Sequence, residues 1–460
     1  MSNLLASLSS AGRALEAQRF ALDVTGQNIA NVNTPGYARR EVDFATVRSY
    51  DPSSPGQGVE VSGVRAARDL LLERRLREEG SAEQREAAAA ETLSIVEVAM
   101  GRPGASIDGA FTRLFDAFAA LADDPTGATA RRAVIGEGES LAAAFNTMSA
   151  RLTASQRDAD VRIRAQVNEI NDLAKRVAAL NVSIAGSPAA SADAAQLHDE
   201  LHATLRDLAS RVEIRTLETS NGTIDVSFGS GRALVVGHQA FGIDVTSEPP
   251  NGHAGLRSGG TLITAEVTGG SLGGLLRARD TLIPGYLSQL DTLAFTVSQE
   301  VNSRHQAGFD RNGTAGVAFF TPIAAPAGAA AAIRVSAAVV ADTDLVAAAA
   351  VAQPGDNQAA RALANLRDAR VLDGNTATLA DGWSQLVYRV GYDTQQAQQG
   401  QETRAGVVRQ IEALRDAVSG VSLDEEAVRL LRFQRAYQAN AQFFRVADET
   451  LTMMMQMLGG

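Results

Sequence analysis

Near its end the chain reads LDEEAVRLLRFQRAYQANAQFFRVADETLTMMMQML, from Leu423 to Leu458. Apolar residues recur in this stretch at every seventh position: Leu423, Leu430, Tyr437, Phe444, Leu451 and Leu458. A seven-residue repeat places these side chains along one seam of a helix, and a second helix is needed to cover that seam. The stretch therefore predicts a long helix that packs against a partner helix.

The first 30 residues carry the same repeat, at Leu8, Leu15, Leu22 and Ile29. The simplest arrangement pairs the two terminal helices with each other and leaves the rest of the chain looped out between them. Such a topology is typical of a rod or fibre subunit rather than of an enzyme. The alternative is that both are ordinary amphipathic helices within a globular core.

The terminal helices are expected to be weak in isolation. Gly12 and Gly26 interrupt the first one, and each costs about 0.5–1 kcal/mol relative to alanine. Burial of a leucine contributes roughly 1.5–3 kcal/mol, whereas ordering each residue costs about 1–2 kcal/mol of backbone entropy. We therefore expect both helices to be largely disordered in a free monomer and to fold when the chain assembles.

Composition excludes several functional classes. The 460 residues include 53 acidic and 42 basic side chains, a formal net charge of -11, which argues against nucleic acid or an acidic membrane surface as a partner. Cysteine is absent, so disulfides, thiolate catalysis and cysteine metal sites are excluded. No window reaches the roughly 18 uninterrupted apolar residues of a membrane span, and we expect no cleavable signal peptide after Met1.

The texture of the chain predicts a mainly α fold with an inserted β domain (α+β, multidomain). Helix formers with 3.6-residue periodicity dominate most of the chain, whereas Asn221-Gly222 and the alternating Ile224, Val226 and Phe228 indicate a β-hairpin. Three domains are expected: a terminal helical assembly domain of residues 1–65 with 415–460; a helical rod domain of 66–210 with 274–414, including a short β element near 317–342; and a β-rich outer domain of 211–273.

One pattern is compatible with catalysis. His198 and His202 lie four residues apart on a predicted helix and could hold zinc as in a peptidase. Asp199 follows the first histidine where the zinc-peptidase motif has glutamate, Glu200 projects about 100° further round the helix, and no third ligand is evident. We therefore interpret both histidines as solvated residues of a helix surface.

Three further patterns have ordinary structural interpretations. The glycines of residues 269–274 lack the lysine of a phosphate-binding loop, and residues 310–313 lack the glutamate that closes a calcium loop, so both are predicted to be turns. Trp383 is predicted to anchor a helix in the core, and Met454 to pack between the terminal helices. No cofactor or metal site is predicted.

Two motifs beside the terminal seams identify a family. Residues 26–37 resemble the N-terminal signature of flagellar rod, hook and hook-associated proteins, and residues 433–441 resemble their shared C-terminal motif. Residues 419–426, 273–280 and 301–308 are similar to the hook-associated protein 1 branch of this family. The residues that carry the two terminal motifs are Asn31, Asn33, Thr34, Pro35, Gly36 and Tyr37, and Gln434, Ala436 and Tyr437.

The resemblance implies a structural subunit of the bacterial flagellum at the hook–filament junction, without enzymatic activity. It implies a ring of copies of the chain between the hook protein and hook-associated protein 3. It also implies export by the flagellar type III apparatus, with an export chaperone on the C-terminal region, so the chain would be transiently cytoplasmic and finally extracellular. The middle is short for the family, so an outer domain is expected to be reduced or missing. Hook, rod or hook-associated protein 3 are the nearest alternatives, and a zinc peptidase is the distant one.

Overall fold

The computed structural model describes residues 2–34, 36–47, 57–101, 107–188, 191–220 and 222–458. Its helices are α1 (Ser2–Ala30), α2 (Leu70–Met100), α3 (Ile107–Asp123), α4 (Ala128–Gly186), α5 (Ala192–Arg211), α6 (Gly270–Arg277), α7 (Ile283–Gln306), α8 (Ala329–Ala332), α9 (Ala337–Ala341), α10 (Gln358–Ala364), α11 (Leu379–Ser419) and α12 (Leu423–Leu458). Its strands are β1 (Arg40–Thr46), β2 (Val59–Ala66), β3 (Ile214–Glu218), β4 (Ile224–Phe228), β5 (Arg232–Val236), β6 (Gln239–Ala240), β7 (Asp244–Glu248), β8 (His253–Ser258) and β9 (Thr261–Leu262). The prediction of a mainly α fold with an inserted β domain is confirmed. The division into three domains stays a prediction.

Side-chain caps show why several helices begin where they do. Asp69 accepts hydrogen bonds from two backbone amides of the first turn of α2, and Ser191 accepts one at the start of α5. Thr378 and Asp381 form a reciprocal capping box at α11. These bonds satisfy amides that the helix itself leaves unpaired. Among the described residues, no helix combines the length and the apolar character needed to cross a lipid bilayer.

The larger core lies among α2, α3, the first half of α4, α7 and α11. Phe111, Phe115 and Phe118 recur at helical spacing on α3, and the Phe111 ring meets that of Phe145 on α4 edge-on at 5.8 Å. Trp383 of α11 is only 4 % exposed in the same core, so its prediction as a core anchor is confirmed.

The second core joins the other half of α4 to α5, α6 and the mid-chain strands. Strands β3 to β6 form one antiparallel sheet in sequence order, and β7 to β9 form another. Buried Asn181 of α4 exchanges hydrogen bonds of 2.9 and 3.0 Å with the backbone of Ile224, which fixes the first sheet on the helix. Helix α4, 59 residues long, thus contributes to both cores.

The structure corrects two local predictions. Residues 270–277 form helix α6 rather than a turn, because Gly274 lets α6 approach the backbone carbonyl of Arg85 on α2 too closely for any Cβ. The β element expected near 317–342 is reduced to a single bridge between Phe320 and Val335, beside the short helices α8 and α9. Alanine-rich sequence favours helix over strand there. The turn predicted at residues 310–313 is confirmed, since the Asp310 carboxylate accepts from two backbone amides of that loop.

Candidate assembly interface

The two terminal helices pack against each other, with the β1–β2 hairpin alongside. Asn28, near the end of α1, contacts Glu426 in the first turn of α12, and Ala21 and Phe433 line one groove further along the pair. Moving back along α1 therefore moves forward along α12, so the helices are antiparallel. Both are helical in the single chain, and the β1–β2 hairpin lies against α1. The expected disorder of the two helices in a free monomer stays a prediction.

The residues of the predicted seam lie beside the buried face of this pair rather than at its centre. Seven of them are half-buried: Leu8, Leu15, Leu22, Ile29, Leu430, Phe444 and Leu451. Leu423 is 53 % exposed and Tyr437 38 % exposed. The side chain of Leu458 lies outside the described part of the chain. The assignment of this seam to an assembly interface stays a prediction.

The buried face of α1 is made of other residues. Ala17, Ala21, Val24 and Asn28 are each at most 3 % exposed. Their spacing of four, three and four residues is that of one helix face, so helical periodicity could have identified them. The seven-residue repeat predicted that the larger leucines form the buried face. The most deeply buried apolar residues of α1 are instead small side chains.

A second face of α12 is apolar and uncovered. It carries Val428, Leu431, Phe443, Val446, Met453 and Met457, which are 52–78 % exposed. Val428 and Val446 are about five helical turns apart and so point the same way. Met454 is 38 % exposed, and its expected packing between the terminal helices stays a prediction. We call Val428, Leu431, Phe443, Val446, Met453 and Met457 the α12 stripe.

A buried polar cluster joins α1, the hairpin and α12. The Asn28 side chain donates to the Arg40 carbonyl oxygen and to Glu426 Oε2, at 2.9 and 3.0 Å. Its Oδ1 accepts from Tyr37 Oη and from the Arg40 amide, both at 2.9 Å. Both amide hydrogens and both acceptor positions of Asn28 are therefore used.

The N-terminal motif forms the tight connection between α1 and the hairpin. Thr34 donates through its hydroxyl to Asn31 Oδ1 at 3.1 Å, and Asn33 is exposed. Gly36 has φ +80°, with Arg206 of α5 against the place where a Cβ would lie. Pro35 lies outside the described residues. The motif thus directs the chain from α1 onto α5 and into β1.

Tyr37, the last residue of that motif, is held in place from two sides. Its hydroxyl bonds Asn28, and the Arg40 guanidinium lies 5.1 Å from its ring centre. Burial raises the pKa of the Tyr37 hydroxyl, with the charge of Arg40 acting in the opposite direction. The neutral phenol is therefore retained as a hydrogen-bond donor.

A buried ionic contact fixes the hairpin on α5. Asp199 pairs with Arg68 and, at 3.4 Å, with Arg40, and all three side chains are at most 15 % exposed. The neighbouring His202 is 6 % exposed, and burial lowers its pKa well below the usual value. The interpretation of both histidines as solvated is therefore wrong for His202, because α5 is covered by α2 and β2. In the described part of the chain, no group of three or more candidate ligands is placed to hold a metal.

The C-terminal motif lies on α12 facing the hairpin and solvent. Phe433 packs on Phe44 of β1 with ring centres 6.2 Å apart. Ala436 is half-buried, whereas Gln434 and Tyr437 are exposed. The two terminal motifs are therefore brought to one end of the molecule, where α1, the hairpin and α12 converge.

Three family models match the chain in order. Residues 8–37 match the flagella basal body rod protein model, and residues 416–457 match the C-terminal model of flagellar basal body rod FlgEFG proteins. Residues 93–320 match the helical domain of flagellar hook-associated protein FlgK.

Known proteins are similar over nearly the full chain. Flagellar hook-associated protein 1 of Bacillus subtilis (strain 168) is 25 % identical, with 100 % of this chain and 99 % of that protein covered. The protein of the same name from Escherichia coli (strain K12) is also 25 % identical, with 96 % and 97 % covered. The flagellar hook junction protein FlgK of Burkholderia pseudomallei shares the fold, with a TM-score of 0.68 at 15 % identity over 75 % of this chain and 100 % of that one.

Proposed function

The chain belongs to the FlgK family of flagellar hook-associated proteins, and we propose that it is a structural, non-enzymatic subunit of the hook–filament junction of the bacterial flagellum. The observation that supports this proposal most directly is that the N-terminal and C-terminal helices of the chain pack together. The segments that match rod-protein models, 8–37 and 416–457, are those that form the antiparallel pair α1–α12.

In this proposal the terminal pair is the part that binds neighbouring subunits. The α12 stripe is exposed apolar surface along one face of the helix, the seam residues are half-buried beside the pair, and a contiguous exposed apolar patch marks an interaction site. The partners would be further copies of the chain in a ring, the hook protein on one side and hook-associated protein 3 on the other. An export chaperone would cover the C-terminal region before type III export to the extracellular flagellum.

The small buried core of the terminal pair makes the pair only marginally stable in the free chain. Its deeply buried apolar side chains among the described residues are Ala11, Ala17, Ala21 and Val24 on α1 and Ala447 on α12. Such a small buried area offsets little of the backbone entropy of two long helices. Contacts from neighbouring subunits would stabilise the paired state by mass action.

Substitutions on α12 test the proposal. Leu430→Asp and Leu451→Asp place a charge on the seam, and Val446→Asp places one on the stripe. In cells that lack the native chain, we expect each variant to be exported but to leave filaments detached from hooks, as seen by electron microscopy. Gln438→Asp, at an exposed polar position about 80° round the helix from Val428 and about 100° from Tyr437, is the matched control and should restore filaments.

The folded state of each variant is checked with Trp383, the single tryptophan, which reports on the larger core. An unchanged emission spectrum would confirm that only the terminal pair is altered. Normal filament attachment in both seam variants and in Val446→Asp would refute the role assigned to the terminal pair.

A further inference from the structure

The buried face between the terminal helices is unusually smooth. The most deeply buried apolar residues of α1 are small, namely Ala11, Ala17, Ala21 and Val24, and the larger Leu15 and Leu22 are only half-buried, so no large, fully enclosed side chain of α1 fixes one setting of α12. Register between helices is specified by interlocking shapes or by polar groups that must find partners. Apolar packing alone therefore discriminates weakly between neighbouring settings of α12 on α1.

Buried polar groups favour one register of α12 on α1, which the packing of apolar side chains alone does not do. Asn28 is 1 % exposed and Glu426 is 0 % exposed, and a hydrogen bond of 3.0 Å joins them. The other carboxylate oxygen of Glu426 accepts from Arg429 at 3.2 Å. A shift of α12 by one turn would move Glu426 away from Asn28 and leave one buried amide hydrogen of Asn28 and one buried carboxylate oxygen of Glu426 without a partner, which is unfavourable.

The same cluster also sets the orientation of the hairpin. Asn28 binds both the amide and the carbonyl oxygen of Arg40, so the start of β1 is held in one position relative to α1. Around this centre lie exposed or half-exposed contacts, including Arg39 with Glu425 at 2.8 Å and Arg429 with Glu41 at 3.3 Å. Individually such pairs contribute little, and their geometry follows from the buried centre.

We propose that Asn28 and Glu426 are positioning residues that set the register and orientation of α12 against α1 and the hairpin. The inference rests on the proposed function for its biological meaning, since a single register would present one unique surface to neighbouring subunits. Its physical content concerns the free chain alone. Replacing both residues by leucine removes the buried hydrogen bond between α1 and α12. We expect helix pairing to be retained, although the Arg40 backbone and the Tyr37 hydroxyl lose their bonds to Asn28, and we expect the unique register to be lost.

Distances between two spin labels test this directly. Because the chain contains no cysteine, Asp23→Cys on α1 and Asp448→Cys on α12 provide two specific labelling sites, both exposed and several turns apart along the pair. In the full-length chain with native Asn28 and Glu426 we expect one narrow distance. In the Asn28→Leu/Glu426→Leu variant we expect a shifted or split distribution, with steps of about 5 Å per helical turn, and unchanged helical content by circular dichroism.

The matched control is Thr25→Val. Thr25 is 3 % exposed on the same helix, but its hydroxyl donates only to the Ala21 carbonyl oxygen of α1 itself. This variant should keep the native distance. A narrow native distance in the double leucine variant would overturn the inference, as would a shift of equal size in Thr25→Val. Loss of helix pairing in the double variant would also overturn it, because the cluster would then hold the helices together rather than choose their register. Since the measurement needs no flagellar partner, its failure is separate from a failure of filament attachment.

Discussion

His305 is expected to make the larger core sensitive to acid. It is 0 % exposed at the end of α7. The amide of Ala347 donates to its Nε2 at 2.9 Å, so Nδ1 carries the proton and donates to the Val317 carbonyl oxygen at 2.6 Å. The imidazole is therefore neutral, and burial lowers its pKa to about 4.

The sign and size of the effect follow from this pKa. In the unfolded chain an ordinary histidine has a pKa of about 6.5. Between the two values the unfolded state binds a proton that the folded state does not, so stability is fully present above about pH 6.5 and is lost as pH falls towards 4. Linkage with these two pKa values gives a loss of about 2 kcal/mol between pH 7 and pH 5.

His305→Gln should remove this loss. We expect the variant to be less stable at pH 7 by roughly 1–3 kcal/mol, because at least one buried partner of His305 loses its hydrogen bond. Between pH 7 and pH 5 its free energy of unfolding should fall by about 2 kcal/mol less than that of the native chain. Urea denaturation followed by the fluorescence of Trp383, which lies in the same core, measures both quantities.

The control is His238→Gln, which removes an exposed histidine from the turn between β5 and β6. It should leave the difference between pH 7 and pH 5 as in the native chain. If His305→Gln kept the full native pH dependence, the neutral buried imidazole could not be the source of the acid sensitivity, and the reasoning would be refuted.

Three further changes probe other parts of the fold. Gly274→Ala should destabilise the packing of α6 on α2 by about 1–3 kcal/mol, because the new Cβ meets the Arg85 carbonyl oxygen, which cannot move aside; thermal unfolding measures this, and an unchanged Tm would contradict it. Asp160→Ala should cost about 1–3 kcal/mol in urea denaturation, since Arg279, 2 % exposed, loses one of its two carboxylate partners and keeps Asp280, whereas the exposed neighbour change Asp158→Ala should cost under about 0.5 kcal/mol. Hydrogen exchange should be faster in α1 and α12 than in α4 and α7, and equal protection would count against a marginal terminal pair.

Local patterns were sufficient where neighbouring residues decide the structure. The alternation of Val226 and Phe228 predicted a strand. The turn at Asp310 could be predicted because its side chain forms hydrogen bonds within its own loop. Burial that depends on segments far away in the sequence could not be predicted from local patterns. No sequence feature near His202 indicates that α2 and β2 cover it. The close approach that requires glycine at position 274 comes from Arg85, almost two hundred positions away.

The proposed assembly site shows the same division. The heptads and the terminal motifs predicted that the two ends of the chain pack together, since both are local sequence patterns. Asn28 and Glu426 could not be predicted as contact residues, because a single asparagine and a single glutamate form no periodic pattern. Their importance arises only when segments 398 positions apart meet.

Helix α4 has a mechanical consequence for a subunit of a rotating structure. Its 59 residues extend about 88 Å at 1.5 Å per residue, and its two halves are built into different cores. It is one uninterrupted helix with no proline between Ala128 and Gly186, so the commonest cause of a sharp kink is absent from it. A load applied to one core would therefore reach the other along a single continuous helix.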